Sequence, residues 1–175
     1  MKASTSGFTL IEMIVTVAII ASLAAILVPI VSGELADTGT ATAQGETRRI
    51  GTALNQFFKD VSFAPTGPGG NNTIEFLVGS GTVPDPNGFN DDGGAGADAD
   101  TYLTNGSANG GSQWKGPYLA EIEPDPWGNA YMINVHGYYD AAEFVWVISA
   151  GPNGTMDTAP SDTLLQGDDL GILVD

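Results

Sequence analysis

The residues best suited to binding chemistry lie near the carboxyl terminus, where acidic side chains alternate with glycines. Residues 149–154 read SAGPNG, and residues 167–171 read GDDLG. Calcium takes about 6–8 oxygen ligands, which include carboxylates, amides and backbone carbonyls. The pattern therefore predicts a calcium site. The alternative is an acidic loop closed by Asx turns that binds no metal.

The sequence contains few residues that could support other metal sites or catalysis. The chain has no cysteine, which excludes disulfides, iron–sulfur clusters, thiolate metal sites and cysteine nucleophiles. It has one histidine, His136, so two-histidine zinc motifs are excluded and a Ser-His-Asp triad would have to use this residue. His136 ends a predicted strand, and we interpret it as a structural or exposed histidine. We predict that the protein is not an enzyme.

One carboxylate lies in an unusual place. Residues 8–31 form an apolar run whose only charge is Glu12, and as a helix this run would extend about 36 Å at roughly 1.5 Å per residue. That length spans a bilayer. A carboxylate in hydrocarbon costs roughly 2–4 kcal/mol. Glu12 must therefore either lie hydrated at the membrane interface or pair with a positive charge.

The net charge divides the chain into two parts. The protein carries 21 acidic and 5 basic side chains, yet residues 1–59 sum to zero and the charge of −16 lies in residues 60–175. Such an acidic body repels phosphate backbones, so we predict no nucleic-acid partner. Lys2 and the chain amine precede the apolar run. By the positive-inside tendency the amino terminus stays cytoplasmic and the body is exported.

The start of the apolar run resembles a known processing motif. Gly7-Phe8-Thr9-Leu10-Ile11-Glu12 is similar to the cleavage motif of type IV pilins and type II secretion pseudopilins. The resemblance implies that prepilin peptidase cuts between Gly7 and Phe8 and methylates Phe8. It also implies that Glu12 meets the Phe8 amine of a neighbouring subunit during assembly. Pro29 matches a proline in the long helix of this family.

A second motif narrows the resemblance to one group within these pilin-like proteins. Residues 125–131 read DPWGNAY, which is similar to the signature of the major pseudopilin of type II secretion. Members of that group carry calcium in the carboxyl-terminal loop, and Asp168 and Asp169 match their aspartate pair. Asn153 replaces a further aspartate, so Asp157 or Asp162 could supply the missing charge. The resemblance adds the backbone carbonyls of two more residues as ligands: Ala150 and Gln166.

The resemblance implies an α+β, type IV pilin-like fold. A long N-terminal α-helix would pack on a small antiparallel β-sheet with a C-terminal calcium-type loop. The expected divisions are a prepilin leader peptide, a transmembrane and filament-core helix, an amphipathic continuation of that helix and a periplasmic or extracellular globular head. They cover residues 1–7, 8–31, 32–60 and 61–175.

Local patterns predict the remaining elements. Ile50, Leu54, Phe57, Phe58 and Val61 recur at helical spacing and define one buried face, whereas glycines at every sixth position from Gly33 to Gly51 weaken the helix. We predict a short helix, a long loop and two strands in the head. They cover residues 72–78, 85–113, 131–136 and 144–149. The loop carries Asp91, Asp92, Asp98 and Asp100, which either bind a cation or are simply solvated.

The predicted function is that of a structural subunit of a type II secretion pseudopilus. Its partners would be copies of itself in a helical filament, prepilin peptidase, minor pseudopilins and an inner-membrane assembly platform. The subunit would begin as a single-pass inner-membrane protein with a periplasmic head and end in a periplasmic or cell-surface filament. The alternatives are a type IV pilus major pilin for adhesion or motility, or a membrane-anchored enzyme or sugar-binding module that uses Trp114 and Trp127.

Overall fold

A computed structural model describes residues 7–61, 74–85, 87–89, 95–106 and 113–174. The chain divides into two compact units, Met1–Thr38 and Gly39–Asp175. Three helical and five strand segments occur in the described residues. In chain order they are α1 (Leu10–Val61), β1 (Ile74–Val78), β2 (Ala95–Asp98), α2 (Asp100–Leu103), β3 (Met132–Asn134), a 3-10 helix (His136–Tyr138), β4 (Trp146–Ser149) and β5 (Leu170–Leu173).

The first unit consists of the amino-terminal part of α1. Its large apolar side chains from Phe8 to Val31 are between 50% and 81% exposed. Among the helices of the described residues, α1 alone is long and apolar enough to cross a membrane. Pro29 lies inside this helix, which continues without interruption on both sides of it.

The second unit is built around the carboxyl-terminal half of α1. Ile50, Leu54, Phe57 and Val61 are fully buried, which confirms the predicted apolar face. Phe58 is the exception, because it stays 36% exposed and stacks on Tyr138 with ring centroids 4.7 Å apart. The helix is therefore held to the sheet by one stripe of side chains, as its sequence period requires.

Two of the regularly spaced glycines have a packing role. A Cβ on Gly51 would lie 2.5 Å from Cδ1 of Ile172 in β5, and one on Gly39 would lie 3.2 Å from the indole of Trp127. Gly33 and Gly45 have no heavy atom within 4 Å of such a Cβ. Gly39 and Gly51 therefore allow the head to pack closely on the helix. This packing role is separate from the weakening of the helix that glycine causes.

The sheet has five strands in the order β2-β1-β3-β4-β5. The long helix packed on this sheet confirms the predicted α+β, pilin-like fold. Pairs β1–β3, β3–β4 and β4–β5 are antiparallel as predicted. The β2 edge of the sheet differs from the predicted antiparallel arrangement, because β2 pairs with β1 in parallel. Parallel strands need a crossover connection. Residues 79–94 join β1 to β2, and part of this segment lies outside the described residues.

The predicted short helix at 72–78 is wrong, because Ile74–Val78 is the strand β1. Ile74 and Leu77 pack in the core beneath α1, while Phe76 packs in a second cluster on the other side of the sheet. A run of five residues that is buried on both faces carries no helical or strand period. Asn72 and Thr73, the first two residues of that predicted helix, lie outside the described residues.

The predicted long loop at 85–113 is also wrong in its middle, since it contains β2 and α2. A Cβ on Gly96 would lie 2.4 Å from the ring of Phe76, so the small residues of β2 allow close approach to β1. Tyr102 and Leu103 in α2 are buried in the core. Asp98 accepts a hydrogen bond from the Asp100 amide at 2.9 Å, while Asp91 and Asp92 lie outside the described residues.

The two strands predicted at 131–136 and 144–149 are confirmed, each shorter by a few residues, as β3 and β4. In β4 the side chains alternate between two clusters. Val145 and Val147 face the core beneath α1, whereas Trp146 and Ile148 face the second cluster with Met132 and Met156. This alternation follows from the two-residue period of a strand.

Candidate functional site

The start of α1 is closed by a reciprocal pair of hydrogen bonds. Glu12 Oε2 accepts from both the backbone amide and the hydroxyl of Thr9, each at 2.8 Å. The Glu12 amide in turn donates to Thr9 Oγ1 at 3.3 Å. This is a capping box, in which a Thr and a Glu three residues later satisfy amides at the helix start. The sequence T-L-I-E carries the signal for this cap, which our predictions did not include.

The two residues of the predicted cleavage site, Gly7 and Phe8, lie just before that cap. Gly7 and Phe8 precede the first helical residue, Leu10, and the Phe8 side chain is 81% exposed. Both residues are exposed and lie in front of the helix, so a peptidase could reach them without unwinding the helix. Glu12 lies one helical turn after this segment, so its carboxylate is close in sequence to the amine that a cut after Gly7 would create.

The DPWGNAY segment forms a turn held by the buried carboxylate of Asp125. Its Oδ1 accepts from the amides of Trp127 at 3.0 Å and Asn129 at 2.8 Å. Its Oδ2 accepts from the hydroxyl of Ser149 at 2.6 Å, and Ser149 Oγ accepts from the Gly151 amide at 3.1 Å. The turn is thereby tied to the end of β4, where the acidic loop begins.

Replacing Ser149 with alanine is expected to destabilise the head by about 1–3 kcal/mol, because a buried carboxylate oxygen and a backbone amide would each lose a partner. Urea unfolding of the full chain in detergent measures this through tryptophan fluorescence, since all three tryptophans lie in the head. The exposed Ser161→Ala is the matched control and should change little. Equal stability of both variants would contradict the role of this linkage.

The acidic loop between β4 and β5 is folded back on itself through its carboxylates. Asp169 Oδ2 accepts from the amides of Asp157 at 3.0 Å and Thr158 at 2.7 Å. Asp168 Oδ2 accepts from the Asn153 amide at 3.0 Å, and the Asn153 side chain donates to Asp157 Oδ2 at 3.2 Å. Asn153 and three aspartates are therefore linked across the loop.

This geometry separates the two candidates for an additional acidic ligand. Asp157 lies beside Asn153 and next to Gly167, where an added Cβ would collide with its carboxylate. Asp162 is used elsewhere: its carboxylate accepts from the Ala159 amide at 2.8 Å and its carbonyl from Trp146 Nε1 at 3.1 Å. Asp157 is the aspartate that the loop brings to the predicted ligands.

The backbone ligands predicted by resemblance lie at the two ends of the same loop. Ala150 is fully buried at the end of β4, and the Gln166 carbonyl accepts from the Asp169 amide at 3.2 Å. Gly151 has φ +64°, and a Cβ there would lie 2.2 Å from the Asp168 carbonyl oxygen. The glycine thus lets the loop ends touch.

One atom of the loop lacks a partner. Asp169 Oδ1 is buried and accepts no hydrogen bond, although the side chain is only 4% exposed. Burial raises the pKa of this carboxyl, against the hydrogen bonds from Thr158 and Asp157 that lower it. An unpartnered carboxylate oxygen in an acidic, carbonyl-rich loop fits the donor set that calcium uses. Among the described residues, the three-ligand group within 4.8 Å lies elsewhere, at His136, Asp140 and Glu143.

The two tryptophans that suggested a sugar-binding surface have internal roles. Trp114 Nε1 donates to the Tyr102 carbonyl at 2.8 Å, and its ring packs edge-on to Tyr118. Trp127 packs against Gly39 of α1. Neither indole is presented as an exposed stacking platform.

A capped, predominantly apolar helix start after a glycine, followed by a small sheet packed on the same helix, defines a type IV pilin-like subunit. The comparisons with known proteins agree with this class. The prokaryotic N-terminal methylation motif matches residues 2–28. The family "type II secretion system (T2SS), protein G" matches residues 96–166.

The chain belongs to the type II secretion system protein G family. It is 30% identical over 155 residues to type II secretion system core protein G of Escherichia coli K12, which covers 87% of this chain and 85% of the relative. It is 32% identical over 133 residues to the protein of the same name from Pseudomonas aeruginosa, covering 75% of each chain. The protein of that name from Vibrio cholerae is 26% identical over 152 residues, which is 87% of this chain and 76% of the relative. No solved structure matches the chain.

Proposed function

We propose that this chain is the major structural subunit of a type II secretion pseudopilus. Prepilin peptidase cuts it between Gly7 and Phe8 and methylates Phe8. The observation that carries the proposal is the G-F-T-L-I-E motif at the start of an apolar helical segment, residues 8–31, whose only charge is Glu12. It occurs in a chain whose relatives over most of its length are named type II secretion system core protein G.

Assembly would be driven by the amino-terminal helices. The apolar surface of residues 8–31 suits lipid before assembly and suits other copies of the same helix afterwards, since it is apolar all round. The charge of −16 in residues 60–175 makes the heads repel one another, so they contribute little attraction of their own. A helical filament with a helix core and heads outside satisfies both properties.

The membrane orientation and the expected partners follow from the division of the chain into a neutral amino-terminal part and an acidic head. Lys2 and the chain amine keep the amino terminus in the cytoplasm, and the acidic head enters the periplasm. Extraction of the helix from the inner membrane needs an assembly platform there, and minor pseudopilins would begin the filament. The described residues contain a packed head, which suits a structural subunit, and we assign no catalytic residue.

The acidic loop is the proposed calcium site. Asp168, Asp169 and Asp157 would supply charged oxygens, Asn153 an amide oxygen, and Ala150 and Gln166 backbone carbonyls. The buried, unpartnered Asp169 Oδ1 supports a cation at this place, and so does the repulsion among three carboxylates that share one loop. Bound calcium would neutralise the loop and fasten β5 to β4.

Deleting the gene for this chain in its host is expected to stop export of secreted enzymes, which should accumulate in the periplasm, because the filament that supports secretion loses its main subunit. Enzyme activity in culture supernatant against periplasm measures this, and a plasmid copy should restore export. Normal secretion together with lost surface adhesion or twitching would instead assign the chain to a type IV pilus.

A further inference from the structure

The connection between β3 and β4 gathers three potential metal ligands from a short stretch of chain. One ligand atom each from His136, Asp140 and Glu143 lies within 4.8 Å of the other two. His136 Nδ1 and Glu143 Oε1 are 3.2 Å apart, and both side chains are mostly buried. These residues share no member with the acidic loop between β4 and β5.

A buried asparagine holds two of the three ligands. Asn134 has no exposed surface, and its Nδ2 donates to Glu143 Oε2 at 3.0 Å and to the Phe144 carbonyl at 2.9 Å. Its Oδ1 accepts from the His136 amide at 3.0 Å. One amide side chain therefore fixes the backbone of the histidine and the second oxygen of the glutamate, while Glu143 Oε1 points at the imidazole. Partners of this kind orient metal ligands in proteins.

The third ligand is placed by the turn itself. The Asp140 amide donates to the His136 carbonyl at 3.0 Å, and Asp140 Oδ1 accepts from the Ala142 amide at 2.8 Å. The turn closes tightly because residue 137 is glycine, where a Cβ would lie 2.6 Å from the carbonyl carbon of Phe144. The backbone hydrogen bonds of the turn therefore hold Asp140 next to His136.

The ligand types point to a borderline divalent metal. Zinc binds both imidazole nitrogens and carboxylate oxygens, and its open sites combine three protein ligands with water in the fourth position. A tetrahedral zinc with bonds of about 2.0–2.2 Å sets its ligand atoms about 3.3–3.6 Å apart. The separation of 3.2 Å between His136 Nδ1 and Glu143 Oε1 is close to this spacing, and a ligand oxygen of Asp140 lies within 4.8 Å of both residues' ligand atoms. A salt bridge accounts for that pair alone, whereas a metal would also use the Asp140 carboxylate that the turn holds beside them.

We propose that His136, Asp140 and Glu143 form a second cation site, which binds zinc and clamps the β3–β4 connection. The site differs in chemistry from the acidic loop, since its nitrogen ligand favours zinc over calcium. The metal would cancel the charge of two neighbouring carboxylates and tie the end of β3 to the start of β4.

The test uses the full, untagged chain in detergent, stripped with EDTA and then saturated with calcium so that the acidic loop is occupied. Zinc is titrated calorimetrically, and the imidazole nitrogens are followed by NMR. The chain has a single histidine, so every imidazole signal belongs to His136. The expected result is saturation at one zinc per chain, with a large shift of the Nδ1 signal.

Three variants decide between a metal site and a salt bridge. Glu143→Gln and Asp140→Asn should each weaken zinc binding about 10-fold or more, because altering even the outer-shell partners of metal ligands costs about 10–100-fold in affinity. Glu123→Gln makes the same charge change at an exposed position and should bind as wild type. Asp140 is exposed, so its replacement should fold, which circular dichroism checks. The absence of a zinc-dependent Nδ1 shift, or unchanged binding by Asp140→Asn, would overturn the proposal.

Discussion

Replacing Glu12 with alanine is expected to abolish filament assembly while leaving cleavage between Gly7 and Phe8 intact. Cutting after Gly7 creates an ammonium at Phe8, and an apolar filament core would bury this charge. Removing the partner of a buried charge costs about 3–5 kcal/mol, which corresponds to association weaker by about two to four orders of magnitude. Electron microscopy of sheared filaments and the mass of the membrane-bound subunit measure assembly and cleavage separately.

The capping box makes a sharper version of this experiment possible. Glutamine at position 12 can still accept hydrogen bonds from Thr9, because a capping box takes Glu or Gln, but it carries no charge. We therefore expect Glu12→Gln to fail in assembly like the alanine variant. Thr9→Val removes the capping hydroxyl, keeps the charge, and should still form filaments at a cost of about 1 kcal/mol in helix stability.

The matched control for both variants is Glu34→Gln, which changes an exposed carboxylate in the same helix. It should assemble normally. Filaments of normal number from Glu12→Gln, or their loss in Thr9→Val alone, would mean that Glu12 acts through the cap and not by pairing with an amine.

The second large effect is expected from calcium. If calcium binds only the folded loop, a free concentration of 100 times the dissociation constant adds about 2.7 kcal/mol of stability. For a chain of this size that corresponds to a melting temperature higher by roughly 5–10 °C. Scanning calorimetry of the full chain in detergent, stripped of zinc and measured with calcium or with EGTA, tests this directly.

The loop variants identify which carboxylates take part. Asp169→Asn removes the charge of the aspartate whose Oδ1 is buried without a partner, so its melting temperature should no longer respond to calcium. Asp157→Asn should weaken the response. Asp162→Asn, with the same change of charge in the same loop, should respond as wild type, because its carboxylate is used at the Ala159 amide. An equal calcium response in Asp169→Asn and Asp162→Asn, or none in the wild type, would refute the proposed site.

Much of the fold could be predicted because a regular spacing of apolar residues along the chain identifies a helix or a strand. The apolar stripe from Ile50 to Val61 and the alternation around Trp146 each match one element, and the structure confirms both. β1 was missed because Ile74–Val78 is buried on both faces and shows no period. β2 and α2 were missed because a composition rich in Gly and Asp hides the close packing of Gly96 on Phe76 and the burial of Tyr102.

The candidate site was predictable in its motifs but not in its contacts. The segment from Gly7 to Glu12 and the Asp168–Asp169 pair are read directly from the sequence. The preference for Asp157 over Asp162, the linkage of Asp125 to Ser149, and the meeting of His136 with Asp140 and Glu143 depend on how the chain folds back. Such contacts have no sequence period, since they join residues through turns.

The most direct test of the proposed function is the intact mass of the chain extracted from membranes of a host with a prepilin peptidase. The expected result is a chain that starts at Phe8, has lost residues 1–7, and carries one added methyl group. Gly7 replaced by a bulky residue should leave the full-length mass. A chain that keeps residues 1–7, or one cut after the apolar run by an ordinary signal peptidase, would contradict the account.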